Sequence, residues 1–386
     1  MKKIIFLALA VVAIVSCKKN VGSTIEEPQQ DVIALSTGNI SLSKVANEGV
    51  RVVFGVDDQI GVFAAYADNQ TTPTAPSWAT GNAADQTGVY FGNIAAKCTT
   101  AGVGSAPAGT PAVFSWGADG TGGLTNNQIY PKNEKKIYLY SYYPYAASGT
   151  SIDPTAGPKL DIKLTDGAED ASIKQADVLW SVGASKQTTA QQWISRTGDN
   201  QLAKLTFNHA LAQLQFKIYR QDATVASCKF VQLEFQSPKA GSMNIMTGAI
   251  EVTPMDFTNA TPTGNTVAKY TIGDPTSVVN IDATQKTDAT EINANPLMVF
   301  PMTVDQAKTC KLKIWIYFGS KNAVNMETDK TDIKEYEVKL NTASTLALLQ
   351  GKLNFISLGV GETTIELTAD IEAWDPTGSS TELPIE

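Results

Sequence analysis

The chain contains one histidine, His209, and that count limits the chemistry open to it. A zinc-protease helix needs two histidines at fixed spacing, and facial-triad or three-histidine metal sites also need more than one. A Ser-His-Asp arrangement is possible only with His209 as its base, and no Gly-x-Ser-x-Gly elbow presents a nucleophile to it. His209 follows Phe207 and precedes the strand pattern at 211–219, so a hydrogen-bonded structural histidine is the plainer reading. Asp57-Asp58 reads as an acid pair or as a turn. No Asp-x-Asp-x-Asp-Gly loop surrounds it, which favours the turn. A glycosidase needs two carboxylates roughly 5–10 Å apart. With 38 acidic residues some pair always fits, so the count selects nothing. Gly102-Val-Gly104 and Gly120-Thr-Gly-Gly123 precede no helix and read as loops rather than phosphate cradles. Cys98, Cys228 and Cys310 are too far apart for a Cys-x-x-Cys motif; they read as buried small hydrophobes, with at most one disulfide among them. Acidic residues outnumber basic ones 38 to 30, and Arg51, Arg196 and Arg220 are the only arginines, which argues against nucleic acid. These residues define no enzyme, no metal site and no cofactor.

Aromatic side chains are the remaining candidates. Tyr138, Tyr140, Tyr142, Tyr143 and Tyr145 could stack sugars and donate hydroxyl hydrogen bonds, or could form an amphipathic wall between sheet and loops. Trp78 and Trp116 sit in Gly-, Thr- and Ala-rich surroundings and read as ligand contacts or loop anchors.

The elements that would position these residues are strands. Of 386 residues 43% are hydrophobic and 18% charged, enough apolar material for real cores and too little charge for a disordered chain. The run 60–66 reads as a buried strand, and period-two alternation with β-branched and aromatic residues marks 136–142, 212–219 and 311–318. Further candidates are 177–182, 203–208, 229–235, 296–301, 333–340 and 352–360. Helical periodicity is confined to Ser344–Gln350, with Gly351 as its C-cap. The loops between strands suggest antiparallel sandwiches rather than a parallel α/β sheet. The strand inventory exceeds one sandwich, so the chain divides into 31–222 and 223–386.

The N-terminus reads as an address. Lys2 and Lys3 precede an unbroken apolar run from Ile4 to Val15, too short for the roughly 20 residues that span a bilayer. Ile14-Val15-Ser16-Cys17 resembles a bacterial lipobox, which makes 1–16 a lipoprotein signal peptide, Cys17 the lipidated residue and 17–30 a polar tether.

Four stretches together resemble the fimbrillin family of Bacteroidetes: the lipobox, Phe54-Gly-Val-Asp-Asp-Gln-Ile-Gly-Val-Phe63, Leu205-Thr-Phe-Asn-His-Ala-Leu-Ala-Gln-Leu-Gln-Phe216, and the closing run from Gly351-Lys-Leu-Asn-Phe355 to Ile371-Glu-Ala-Trp374. The resemblance implies an all-β chain of two tandem transthyretin-like antiparallel β-sandwich domains. It also implies polymerisation with other fimbrial subunits, as stalk, anchor or tip, at the outer membrane and cell surface. In that family a protease cuts the lipidated precursor, frees its first strand, and a neighbour's strand takes the place. On this chain the resemblance points to Arg51 as the cut. Alternation places the removable strand within 31–46. It also makes 363–373 a donor, with Ile365, Leu367, Ala369 and Ile371 on one face, or else a permanent strand of its own domain. Lys18-Lys19-Asn20 lacks the acidic pair that resembles a surface-export signal. A surface glycan-binding module anchored through Cys17, with host or bacterial glycans or proteins as partners, is the alternative.

Overall fold

The computed structural model describes residues 32–37, 54–78, 87–102, 111–120, 127–164, 167–168, 177–185, 193–196, 202–221, 227–256, 267–293, 296–338, 347–361 and 365–373. The first half holds β1 (Ala34–Thr37), β2 (Gln59–Tyr66), β3 (Val89–Thr100), β4 (Val113–Trp116), β5 (Ile137–Tyr143), β6 (Thr150–Asp153), β7 (Gly157–Lys163), β8 (Gly167–Ala168), β9 (Leu179–Ser185), β10 (Trp193–Ile194) and β11 (Leu202–His209). The second holds β12 (Ala212–Arg220), β13 (Lys229–Pro238), β14 (Ala240–Asn244), β15 (Ile250–Val252), β16 (Val267–Ile272), β17 (Val279–Asn280), β18 (Thr290–Glu291) and β19 (Leu297–Val299). A single turn of helix, α1 (Val304–Ala307), then precedes β20 (Lys311–Tyr317), β21 (Ile333–Val338), β22 (Lys352–Val360) and β23 (Ile365–Ala373).

The first body closes on itself. Strands run β5-β2-β3-β4-β1-β11-β9, and β9 pairs back with β5. Alternation sorts β2 into two buried faces. Ile60, Val62, Ala64 and Tyr66 point into the ring beside Ile33, Leu35, Phe114 and Phe207. Phe63 and Ala65 point out of it, against Leu160, Ile162, Met243 and Ile245. The inside of the ring is one core and the sheet packed on its outside makes another, which is why these strands carry apolar residues on both faces. In β3, Asn93 has φ +46° and the pairing with β2 shifts register between Val62 and Ala64. This bulge breaks period two, so β3 has no clean alternation in the sequence.

The second body is a sandwich. One sheet runs β18-β12-β22-β23, with β19 also on β12; the other runs β21-β20-β13-β16-β8. Leu214, Phe216, Ile218, Ile356 and Leu358 from the first meet Phe235, Tyr270, Leu312 and Ile314 from the second. The chain changes bodies at Ala210-Leu211, so the strand ending at Arg220 hydrogen-bonds within the second body. A four-stranded sheet, β15-β14-β7-β6, takes two strands from each half and covers the outer face of the ring.

Two expectations change. The sheets are mixed, because β1–β11, β12–β22 and β16–β8 are parallel. The helix expected over Ser344–Gln350 is absent from its described part: Leu348 makes an isolated antiparallel bridge to Met302. Gly351 does adopt φ +63°, but in a turn entering β22 rather than as a helix cap. Leu348 is buried in this extended bridge, and an apolar run fits such a segment as well as a helix, which periodicity alone does not separate.

Candidate functional site

Strand β1 lies inside the ring wall, with a neighbour on each side. It runs parallel to β11, pairing Ala34 with Leu202 through to Thr37 with Leu205, and antiparallel to β4, pairing Leu35 with Phe114. Closure of the ring makes its place an interior slot rather than a sheet edge. Alternation sends Ile33 and Leu35 into the core at 1% and 2% exposure, while Val32 stays at the surface. The entry to the slot is pinned by polar groups. The Ile33 amide donates to Gln128 O at 2.8 Å, and the Trp116 indole N–H donates to Ile33 O at 2.8 Å. Val32 bridges to Ile129, whose carbonyl accepts the Tyr90 hydroxyl at 2.7 Å. Burial, with the nearby Tyr66 adding to it, pushes the Tyr90 phenol up to about 12, so it stays a donor at any physiological pH.

Beyond the slot the core is anchored by Phe54. Its ring meets Phe114, Tyr143 and Phe207 edge-on at 5.3, 5.5 and 4.9 Å. Arg51, three residues earlier, lies outside the described residues, as does Cys17. The slot strand and the Phe54 anchor are thus separate attachments, joined by the segment 38–53.

At the other end of the chain, β23 pairs antiparallel with β22 in unbroken register, from Ile365 opposite Val360 to Ala373 opposite Lys352. In that register Leu367 is paired with Leu358, Ala369 with Ile356 and Ile371 with Asn354. Among the described residues β22 is its only sheet neighbour, and β23 forms an edge.

The residues considered for chemistry are placed elsewhere. His209 ends β11 with its Nδ1 2.8 Å from Asp177 Oδ2, both side chains essentially buried. It forms a structural pair beside the crossing between the bodies. The Asp57-Asp58 pair is a turn: Gly55 N donates to Asp58 Oδ2 at 2.7 Å, and Asp57 reaches Lys97 at 2.7 Å. No group of three or more His, Cys, Asp or Glu fit to hold a metal ion occurs among the described residues. Tyr138, Tyr140, Tyr142 and Tyr143 are buried at 0–8% exposure, and Tyr145 is half-buried against the same cluster, so they form the wall and not a sugar platform. Trp78 and Trp116 are buried anchors at 2%. Cys98, Cys228 and Cys310 are buried thiols outside any disulfide. Burial pushes Cys228 up to about 11 and Cys310 up to about 12, which leaves both unreactive near neutral pH. No helix of the described residues is long and apolar enough to cross a membrane.

A ring of antiparallel and mixed strands fused to a β-sandwich defines an all-β protein. A family model described as fimbrillin-like matches residues 45–374, and the chain belongs to that family. No curated protein is similar enough in sequence to match. Among solved structures, the chain is similar to a fimbrial protein from Bacteroides vulgatus, with 17% identity, a TM-score of 0.52, and 89% of this chain and 99% of that one covered. It is also similar to a fimbrial assembly protein from Parabacteroides distasonis, with 9% identity, TM-score 0.40, and 88% and 94% coverage. A third, from Bacteroides ovatus, is provisionally assigned to cell adhesion, with 19% identity, TM-score 0.47, and 90% and 99% coverage. At these identities the Bacteroides vulgatus likeness speaks for the fold alone.

Proposed function

We propose that this chain is a structural subunit or adhesin of a cell-surface fimbria, held at the outer membrane through a lipid on Cys17 and the tether 17–30. In this reading a cut after Arg51 frees β1, and a strand from a neighbouring subunit fills the slot between β4 and β11. The domain pair is the transthyretin-like pair of the resemblance, with the chain passing from one to the other at Ala210-Leu211 rather than near residue 222. Family membership supports the fimbrial role. The placement of β1 carries the exchange: Ile33 and Leu35 fill a two-sided slot and connect to the rest of the ring only through the segment that contains Arg51.

The energetics favour exchange once the strand is released. An empty slot exposes two rows of backbone donors and acceptors and two apolar pockets, and each buried Ile or Leu side chain is worth about 1.5–3 kcal/mol. Strand β1 offers four residues. A donor from 363–373 offers a nine-residue alternating strand, and it exchanges one neighbour, β22, for two.

The test is digestion of the full-length protein with an arginine-specific protease, followed by N-terminal sequencing and electron microscopy. The expected product begins Val52-Val53-Phe54 and assembles into rods. A cut at Arg51 that leaves a monodisperse monomer under all conditions overturns the exchange mechanism.

A further inference from the structure

The outward face of the β21-β20-β13-β16 sheet carries a second feature, independent of the slot. Register puts Trp315 of β20 between Gln232 of β13 and Glu335 of β21. One step along, Lys313 lies between Glu234 and Glu337. These side chains alternate with the core-facing Leu312, Ile314 and Ile316, so all point away from the sandwich. Trp315 is half-buried, and its orientation is fixed twice. Its indole N–H donates to Glu335 Oε2 at 3.2 Å, and one side packs on the small cluster of Val231, Tyr317 and Val324. Glu335 is itself held by Lys313 at 2.7 Å, and Glu234 is paired with Lys269.

We infer that this face is a binding platform for a neutral oligosaccharide, with Trp315 as its stacking surface. The C–H face of a pyranose covers an indole well, because it is apolar and flat. A ring already locked by Glu335 and the Val231 cluster loses little freedom on binding. Gln232, Glu234, Lys313 and Glu335 surround it with amide, carboxylate and ammonium groups at strand spacing, which matches the ring of hydroxyls around a sugar. Charges of both signs interleave on this face: Lys229, Lys269, Lys311 and Lys313 with Glu234, Glu335 and Glu337, and Glu234 and Glu335 are each paired with a lysine. Interleaved, paired charges set up no extended field of one sign for a polyanion or a strongly basic partner, so the occupant this face fits is uncharged.

The test is native gel electrophoresis of the full-length protein through gels containing yeast mannan, dextran or laminarin, with hyaluronan as the anionic comparison. At least one neutral polysaccharide retards the wild type. Trp315→Ala weakens that retardation at least tenfold, and Trp193→Phe, on the other body, leaves it unchanged. Because Trp315 also borders an apolar cluster, Gln232→Ala is run beside it; this change leaves the cluster intact and also weakens binding. Retardation by hyaluronan alone, no retardation by any neutral polysaccharide, or full retardation of the folded Trp315→Ala and Gln232→Ala proteins overturns the inference.

Discussion

Replacing Leu35 by alanine separates a removable strand from one that is merely part of the core. Leu35 is 2% exposed and packs in the ring with Ile33, Phe114 and Leu205. Leu→Ala at such a site costs about 2–5 kcal/mol, the lost transfer energy plus the cavity left behind. If β1 opens as its own unit at a free energy below that cost, the variant populates the opened state, and the rest of the ring keeps the stability which that state has by itself. Each 1.4 kcal/mol is tenfold, so amides bonded across the slot lose protection by about 30-fold at the lower bound and several thousandfold at the upper. The relevant amides are those of β1 itself and the ladders joining it to β4 and β11, read by hydrogen–deuterium exchange on the intact protein. Amides of the β2–β5 ladder, from Gly61 opposite Tyr142 to Tyr66 opposite Ile137, keep their protection. The urea midpoint moves by less than the full cost implies. Equal loss of protection across both ladders, with the whole 2–5 kcal/mol appearing in the urea transition, would falsify the detachable-strand argument.

Four further outcomes follow from the structure. Converting His209 to leucine leaves the buried Asp177 carboxyl without its imidazole partner and costs about 1–3 kcal/mol in urea denaturation; adding Asp177→Asn recovers part of it, and a change below about 0.5 kcal/mol contradicts the pairing. A methyl group on Gly61 meets the Tyr142 ring at 2.1 Å, so Gly61→Ala destabilises by about 1–3 kcal/mol or more, measured by the same transition. Tyr90 and Tyr142 both stand at about 12 against an ordinary 10, raised by burial. The unfolded chain loses these protons first, so stability is intact below pH 10 and falls as pH rises from 10 towards 12, followed by circular dichroism; a flat profile there refutes the burial argument. With thiols at about 11 and 12, Cys228 and Cys310 resist a thiol reagent at pH 8 and react once urea is added; fast native labelling of either contradicts their burial.

The strands that face one core and one solvent layer were legible in the sequence. Leu312, Ile314 and Ile316 alternate with Lys311 and Lys313, and β20 lies where that alternation falls. Strand β12 was equally plain, yet the sheet it joins was not, since alternation marks a strand without naming its partner. Strand β3 was hidden by its bulge at Asn93, and the cross-bracing strands β7 and β14 by their short runs. The one-turn helix α1 did carry a signal, the Thr303-Val-Asp-Gln306 capping box, in which each partner bonds the other's backbone. Tyr138 to Tyr143 looked like a surface stripe because alternate tyrosines fall on one face. Both faces of β5 are in fact covered, one by the ring interior and the other by the β7–β14 sheet. Closure of the ring by β1 is a long-range parallel pairing of Ala34 with Leu202, and no local pattern encodes a contact of that separation.

That same bracing explains how a strand could leave the ring without unfolding the body. The outer face of the ring, through Phe63, Tyr138, Tyr140 and Tyr142, packs on Leu160 and Ile162 of β7 and on Met243 of β14. Strand β7 is hydrogen-bonded to β14 along five residues, from Ala240 opposite Lys163 to Asn244 opposite Lys159. The Trp78 indole N–H reaches Met246 Sδ at 2.7 Å and ties the loop after β2 to the turn after β14. None of these contacts involves β1. Loss of β1 opens the wall between β4 and β11, while β2, β5 and β9 remain held from outside by a sheet that belongs to both halves. A ring closed by one short strand and braced on its far side can present an ordered vacancy, and an ordered vacancy is what strand exchange requires.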